Sequence, residues 1–137
     1  MPVLLTSVAR DSFGAQLNRP GVEWLTLELD GTLRDARGRT LGEEESRPEV
    51  AWGTSDLFRE GAPIGPFFSL LPRLDSLRWF QSPAAGFDAP VFSRLARRGV
   101  RITNAHVNNV PIAEFVMRAV LDEFQDCLLY TSDAADE

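Results

Sequence analysis

The sequence predicts an α/β protein, a parallel sheet with helices covering both faces. Three observations carry this. Short apolar, β-branched runs alternate with helical patterns, the links between them are short, and no internal repeat or low-complexity segment interrupts the alternation. At 137 residues the chain is long enough for one contiguous core and too short for two full domains.

The elements follow in order. Val3 to Val8 is an apolar run suited to a buried first strand. Asp11 or Ser12 can cap a short helix through Leu17, which Asn18-Arg19-Pro20-Gly21 ends. Val22 to Leu29 interleaves Val22, Leu25, Leu27 and Leu29 with Glu23, Thr26 and Glu28, the pattern of a half-exposed strand at a sheet edge. Asp30 to Arg47, with its glycines, arginines and Glu43-Glu44-Glu45, reads as a solvated loop. Val50 to Gly53 is a third strand, after which Thr54-Ser55-Asp56 caps a helix containing Leu57 and Phe58.

Ile64 to Leu71 is apolar but punctuated by Pro63, Pro66 and Pro72, so a broken helix is expected. Leu77 to Gln81 is strand four. Asp88 is placed to cap a helix running to Arg98, with Gly99 at the position where helices end in a left-handed residue. Val100 to Thr103 is strand five. Val110 to Phe124 forms the last helix, with Pro111 in its first turn, where a missing N–H costs little. Its apolar residues cover most of the circumference, so more than one neighbour must bury it.

Composition removes several function classes. The chain is 44% hydrophobic and 25% charged, ordinary values for a globular protein. All 14 basic residues are arginine, which excludes a P-loop lysine, a Schiff-base lysine and the lysine of a phospho-receiver. A net charge of −6 argues against a nucleic-acid partner. No apolar run reaches the roughly 18–20 residues of a membrane span, and the start lacks a signal peptide's basic region. A cytoplasmic location is therefore expected, without a membrane partner.

The run Cys127 to Glu137, CLLYTSDAADE, holds the only cysteine and the only tyrosine. It back-translates, with permitted codons, into a transposase-type library adapter, so residues 126–137 are expected to be an adapter-derived tail on an interrupted reading frame. Without Cys127 to Glu137, which holds Asp133, Asp136 and Glu137, the 20 acidic residues become 17 against 14 arginines, a net charge of −3. No cysteine then remains for a disulfide or a thiolate, and no metal site is expected.

Ligands of open parallel sheets bind outside the carboxyl ends of the strands. Three loops lie there: Thr54-Ser55, Ser82 to Asp88, and Asn104 to Asn109. In the second, Ala84, Ala85 and Gly86 are small enough for backbone N–H groups to approach a ligand. At the start of a helix they would favour a carboxylate or phosphate.

The run Leu77-Arg78-Trp79-Phe80-Gln81-Ser82-Pro83-Ala84-Ala85-Gly86-Phe87-Asp88, with Arg98-Gly99-Val100, Thr103-Asn104 and Ile112-Ala113-Glu114 at matching spacing, resembles the D-isomer-specific 2-hydroxyacid dehydrogenases. That family includes glyoxylate and hydroxypyruvate reductases, and its corresponding segment reads LKWIQS-x-x-AG-x-D. The likeness spans Leu77 to Phe124 and is only architectural before it.

The resemblance implies a flavodoxin-like substrate domain over residues 1–108, then an interdomain helix over 109–125 leading to a Rossmann cofactor domain that this chain lacks. It implies NAD or NADP as cofactor, a small 2-oxo or 2-hydroxy acid as substrate, and a homodimeric parent protein. The amides of Ala85 and Gly86 would hold the substrate carboxylate, and Asn108 would lie beside substrate and nicotinamide. Thr54 and Ser55 would face the same cleft. The family's catalytic arginine, acid and histidine would lie in the part that follows this chain, so none is assigned here and this chain alone is expected to be inactive. His106 sits in the wrong motif to be that histidine, while Glu114 and Asp88 read as structural. Pro83, Asn108-Asn109 and the Asp30 to Arg47 segment depart from the family pattern. The alternatives are a non-enzymatic flavodoxin-like binding module, which bound flavin would mark, and a dehydrogenase-like corepressor without the catalytic histidine.

Overall fold

The structure, a computed structural model, describes residues 1–14, 16–17, 19–104 and 109–125. Asn108, His106 and the 126–137 tail lie outside the described residues. The chain divides into two units, Met1–Ala105 and His106–Glu137.

The first unit is built on a seven-stranded sheet. Strands β1 (Pro2–Thr6), β2 (Glu23–Leu27), β5 (Val50–Trp52), β6 (Trp79–Ser82) and β7 (Arg101–Asn104) are mutually parallel. Strands β3 (Leu33–Arg34) and β4 (Thr40–Leu41) extend the sheet antiparallel from β2, giving the order β4-β3-β2-β1-β5-β6-β7. The sheet is mixed rather than purely parallel. Counted among themselves, the five parallel strands run 2-1-3-4-5, so the strand order reverses direction between β1 and β5.

Two expectations fail together in the hairpin. Residues Asp30 to Arg47 are not a solvated loop, and β2 is not an edge strand. Leu33 and Leu41 are buried in the core, and α2 (Glu43–Ser46) follows them. At the hairpin tip Asp35 accepts the amides of Arg39 and Arg37 at 2.9 Å each and pairs with the Arg39 guanidinium. The bond from the Arg39 amide, more than the others, holds the Asp35 carboxyl below its ordinary range. Two-residue strands are too short to show any period, so the surrounding charges dominate the pattern.

Register places Leu4, Leu25, Ala51, Phe80 and Ile102 in one row across one face of the sheet. Against this row pack α3 (Ile64–Leu70), the 3-10 turn Leu71–Arg73 that continues it, and α4 (Pro90–Arg97), through Phe67, Leu70, Leu71, Val91, Phe92 and Leu95. Side chains alternate along a strand, so Val3, Trp24, Trp52 and Trp79 stand on the other face. There α1 (Ser7–Phe13) packs, with Phe13 5.7 Å from Trp52 between ring centroids and the Arg10 guanidinium over Trp24. A shallow cavity of about 350 Å³ remains among the three tryptophans.

Helix α1 begins where the first strand was expected to continue. Thr6 caps it by accepting the Ala9 amide, so Ser7 and Val8 are helical and neither Asp11 nor Ser12 is the cap. Helix α4 begins at Pro90, with Ala89 as the residue before it and no side-chain cap, so Asp88 does not cap it. Proline's fixed φ suits the first helical position and sets the start there. Gly99 does close α4 with φ +77°, as expected of a left-handed terminator.

The described residues of the second unit form a single helix, α5 (Asn109–Gln125). Arg118 and Asp122 pair at 3.6 Å on its narrow polar stripe. No described helix is long and apolar enough to cross a membrane.

Candidate functional site

The carboxyl ends of β1, β5 and β6 bring three turns side by side, and each is tied down differently. At the end of β1 the fully buried Thr6 hydroxyl accepts the Ala9 amide at 3.1 Å and donates to Asp56 Oδ2 at 2.5 Å. After β5, Thr54 donates its hydroxyl to the other carboxylate oxygen of Asp56. Asp56 is buried, and among the described residues both of its oxygens are met by hydroxyls rather than by a cation. One carboxylate thus joins the β1–α1 junction to the turn after β5, across 50 residues of sequence.

The second tie runs from β5 to β6. Gly53 donates its N–H to the Gln81 carbonyl at 2.9 Å. A Cβ on Gly53 would stand 2.6 Å from Cδ of Pro83, closer than real Cβ contacts come, so the Pro83 ring packs directly on the glycine backbone. Gly53→Ala is expected to lower stability by roughly 1–3 kcal/mol, the usual cost of overpacking, read as a thermal shift.

Beyond Pro83 the chain forms the Ser82 to Asp88 loop. The buried Ser82 hydroxyl accepts the Ala84 amide at 3.1 Å. Asn104, at the end of β7, donates its side-chain N–H to the Ala85 carbonyl at 2.6 Å. The peptide joining Ala85 to Gly86 is planar, so fixing its C=O toward Asn104 turns the Gly86 N–H the opposite way. Ala85 and Gly86 are exposed, and among the described residues no acceptor takes either amide.

The sequence-predicted residues are therefore partly assembled. Ala85 and Gly86 stand on one exposed loop with their amides available. Their availability does not come from a helix terminus, because α4 begins only at Pro90. Thr54 is half-buried and committed to Asp56 rather than open to a cleft. Ser55 opens the 3-10 turn Ser55–Phe58 and is exposed, with no side-chain partner among the described residues. That turn stands where a capped helix was expected.

Two residues escaped the sequence reading. Asp56 figured only as a cap, although its partner Thr6 lies 50 positions away and no local pattern links them. Asn104 anchors the loop through a contact spanning 19 residues. Among the described residues no cluster of three or more His, Cys, Asp or Glu could hold a metal ion. Comparison of the chain with protein-family models, with curated proteins and with solved structures finds no match in any of the three.

Proposed function

We propose that this chain is the substrate-binding half of an NAD(P)-dependent D-2-hydroxyacid dehydrogenase, and that the amides of Ala85 and Gly86 hold the carboxylate of a 2-oxo acid. One observation carries the reading: two consecutive amides on exposed residues, with no acceptor among the described residues, at the carboxyl edge of a parallel sheet, one of them oriented by Asn104. Adjacent backbone donors of this kind suit a two-oxygen anion. The 2-1-3-4-5 order of the parallel strands is that of flavodoxin-like sheets, which supports the fold half of the resemblance.

The residues of this chain do not fit a dinucleotide. There is no Gly-x-Gly-x-x-Gly run, and the β1–α1 junction is closed by Thr6, whose hydroxyl is already shared between the Ala9 amide and Asp56. The role assigned to the chain is thus confined to substrate: it binds and orients the carboxylate, and no hydride or proton step is placed on it. In this reading α5, apolar round most of its circumference, is the helix that leaves the domain toward the cofactor half and the dimer partner.

The test is an amide-resolved NMR titration of the ¹⁵N-labelled chain with glyoxylate. The Ala85 and Gly86 resonances are expected to shift saturably with a dissociation constant on the order of millimolar, while glycolaldehyde, which lacks the carboxylate, leaves them in place. Asn104→Ala frees the Ala85 carbonyl and is expected to weaken glyoxylate roughly three- to tenfold, the worth of one hydrogen bond. Shifts confined to other parts of the chain, or identical for both compounds, would defeat the proposal.

A further inference from the structure

The loop that presents the amide pair also carries an exposed aromatic ring. Phe87 follows Gly86 directly and is 47% exposed. Its ring is set edge-on to Phe92, with centroids 5.4 Å apart and planes at 82°. Phe92 is buried on α4, so the exposed ring is held by the core rather than free to wander. The neighbouring turn ends in Phe58, 56% exposed. An apolar ring held beside available polar groups supplies the two kinds of contact that small-molecule sites combine.

The charges around them are one-sided. Within residues 53–58 and 82–88 the only ionisable side chains are Asp56 and Asp88. Asp56 is buried and satisfied by Thr6 and Thr54. Asp88 is exposed, and its Oδ2 would lie 3.4 Å from a Cβ on Gly86. A second carboxylate or a phosphate on the ligand would find no cation on either loop.

We infer that the substrate of this site is a 2-oxo monocarboxylic acid with an apolar or aromatic side chain, and that Phe87 selects it. This rests on the carboxylate reading above. The amides take the carboxylate, which all 2-oxo acids share, and discrimination falls to what touches the remainder. Phe87 offers a preset apolar surface there, and neither loop carries a cation to pair with a second carboxylate or a phosphate.

The same ¹⁵N-labelled chain is titrated with phenylpyruvate, 4-methyl-2-oxopentanoate, glyoxylate and 2-oxoglutarate, following the Gly86 amide. The two apolar acids are expected to saturate the shift at concentrations roughly tenfold below glyoxylate, as expected for an added apolar contact, and 2-oxoglutarate to bind weakest. Phe87→Ala should bring the apolar acids to within about threefold of glyoxylate. Because Phe87 is largely outside the core, the variant keeps its fold, and amide dispersion confirms it. Equal saturation by all four acids would sink the selectivity and leave the carboxylate reading standing. A preference for 2-oxoglutarate would sink it too, and would point to Arg59, the first cation beyond the turn. If no acid moves Gly86, both readings fall.

Discussion

Replacing Phe80 with alanine is expected to lower the stability of the first unit by about 4 kcal/mol, within the 3–5 kcal/mol range of such truncations. Phe80 is fully buried at the centre of β6. Its ring is stacked on Phe92 at 6.1 Å and 20°, lies 6.3 Å from Phe67, and meets Phe68 edge-on at 6.1 Å. Residues from α3 and α4 therefore close on one ring, and both helices lose their common contact when it is removed. The backbone of β6, paired with β5 and β7, cannot move inward to fill the space. That limits relaxation, which sets the cavity cost. Urea denaturation with an unchanged slope and a lowered midpoint would agree with this. A loss under about 1 kcal/mol would show that the aromatic cluster collapses freely around the gap.

The second large effect is expected from Asp56→Ala, about 3 kcal/mol. The substitution removes the acceptor of two hydroxyls, and hydrogen bonds to a charged group are each worth about 1.5–3 kcal/mol. It strands the Thr6 hydroxyl, which is fully buried, without its acceptor. Thr6 can still accept the Ala9 amide, so α1 keeps its cap while the junction with the turn after β5 is released. Asp56→Asn should cost less, since the amide oxygen can accept from one threonine while the other hydroxyl faces an N–H₂ group. Thermal melts of both variants, with a shift of roughly 10 °C expected for alanine, check the ranking. Equal midpoints for wild type and alanine variant would remove Asp56 from any structural role.

Much of the fold is legible because burial leaves a local mark. Leu77 to Gln81 and Val100 to Thr103 overlap β6 and β7, because Leu77 and Phe80 in the first run and Val100 and Ile102 in the second supply the side chains that face the core, although Arg78, Gln81 and Arg101 interrupt them. Gly99 was readable as a terminator because few other residues tolerate its backbone angle. The start of α1 is hidden in the sequence although Thr6 is a good cap, because Val8 continues the apolar run and masks the change of period. The start of α4 was signalled by Ala89-Pro90, yet the acidic Asp88 competed as a cap.

Within the candidate site the difference is sharper. The ordered residues Ser82 to Asp88 identify the loop, and small residues at Ala85 and Gly86 mark where backbone can be approached. That Ala85's carbonyl is held by Asn104, and that no helix terminus reaches Gly86, depends on where β7 and α4 lie.

By itself, then, the sequence determined the alternation of strands and helices, the apolar strand cores and the loop with exposed backbone, all properties of neighbouring residues. Tertiary structure alone decided that the sheet is mixed, that Leu33 and Leu41 belong to its core, and that β2 is interior. It also decided that Asp56 joins Thr6 to Thr54. The physical reason is range: periodicity and capping act within a few residues, whereas strand order and buried hydrogen bonds are chosen among partners tens of residues apart.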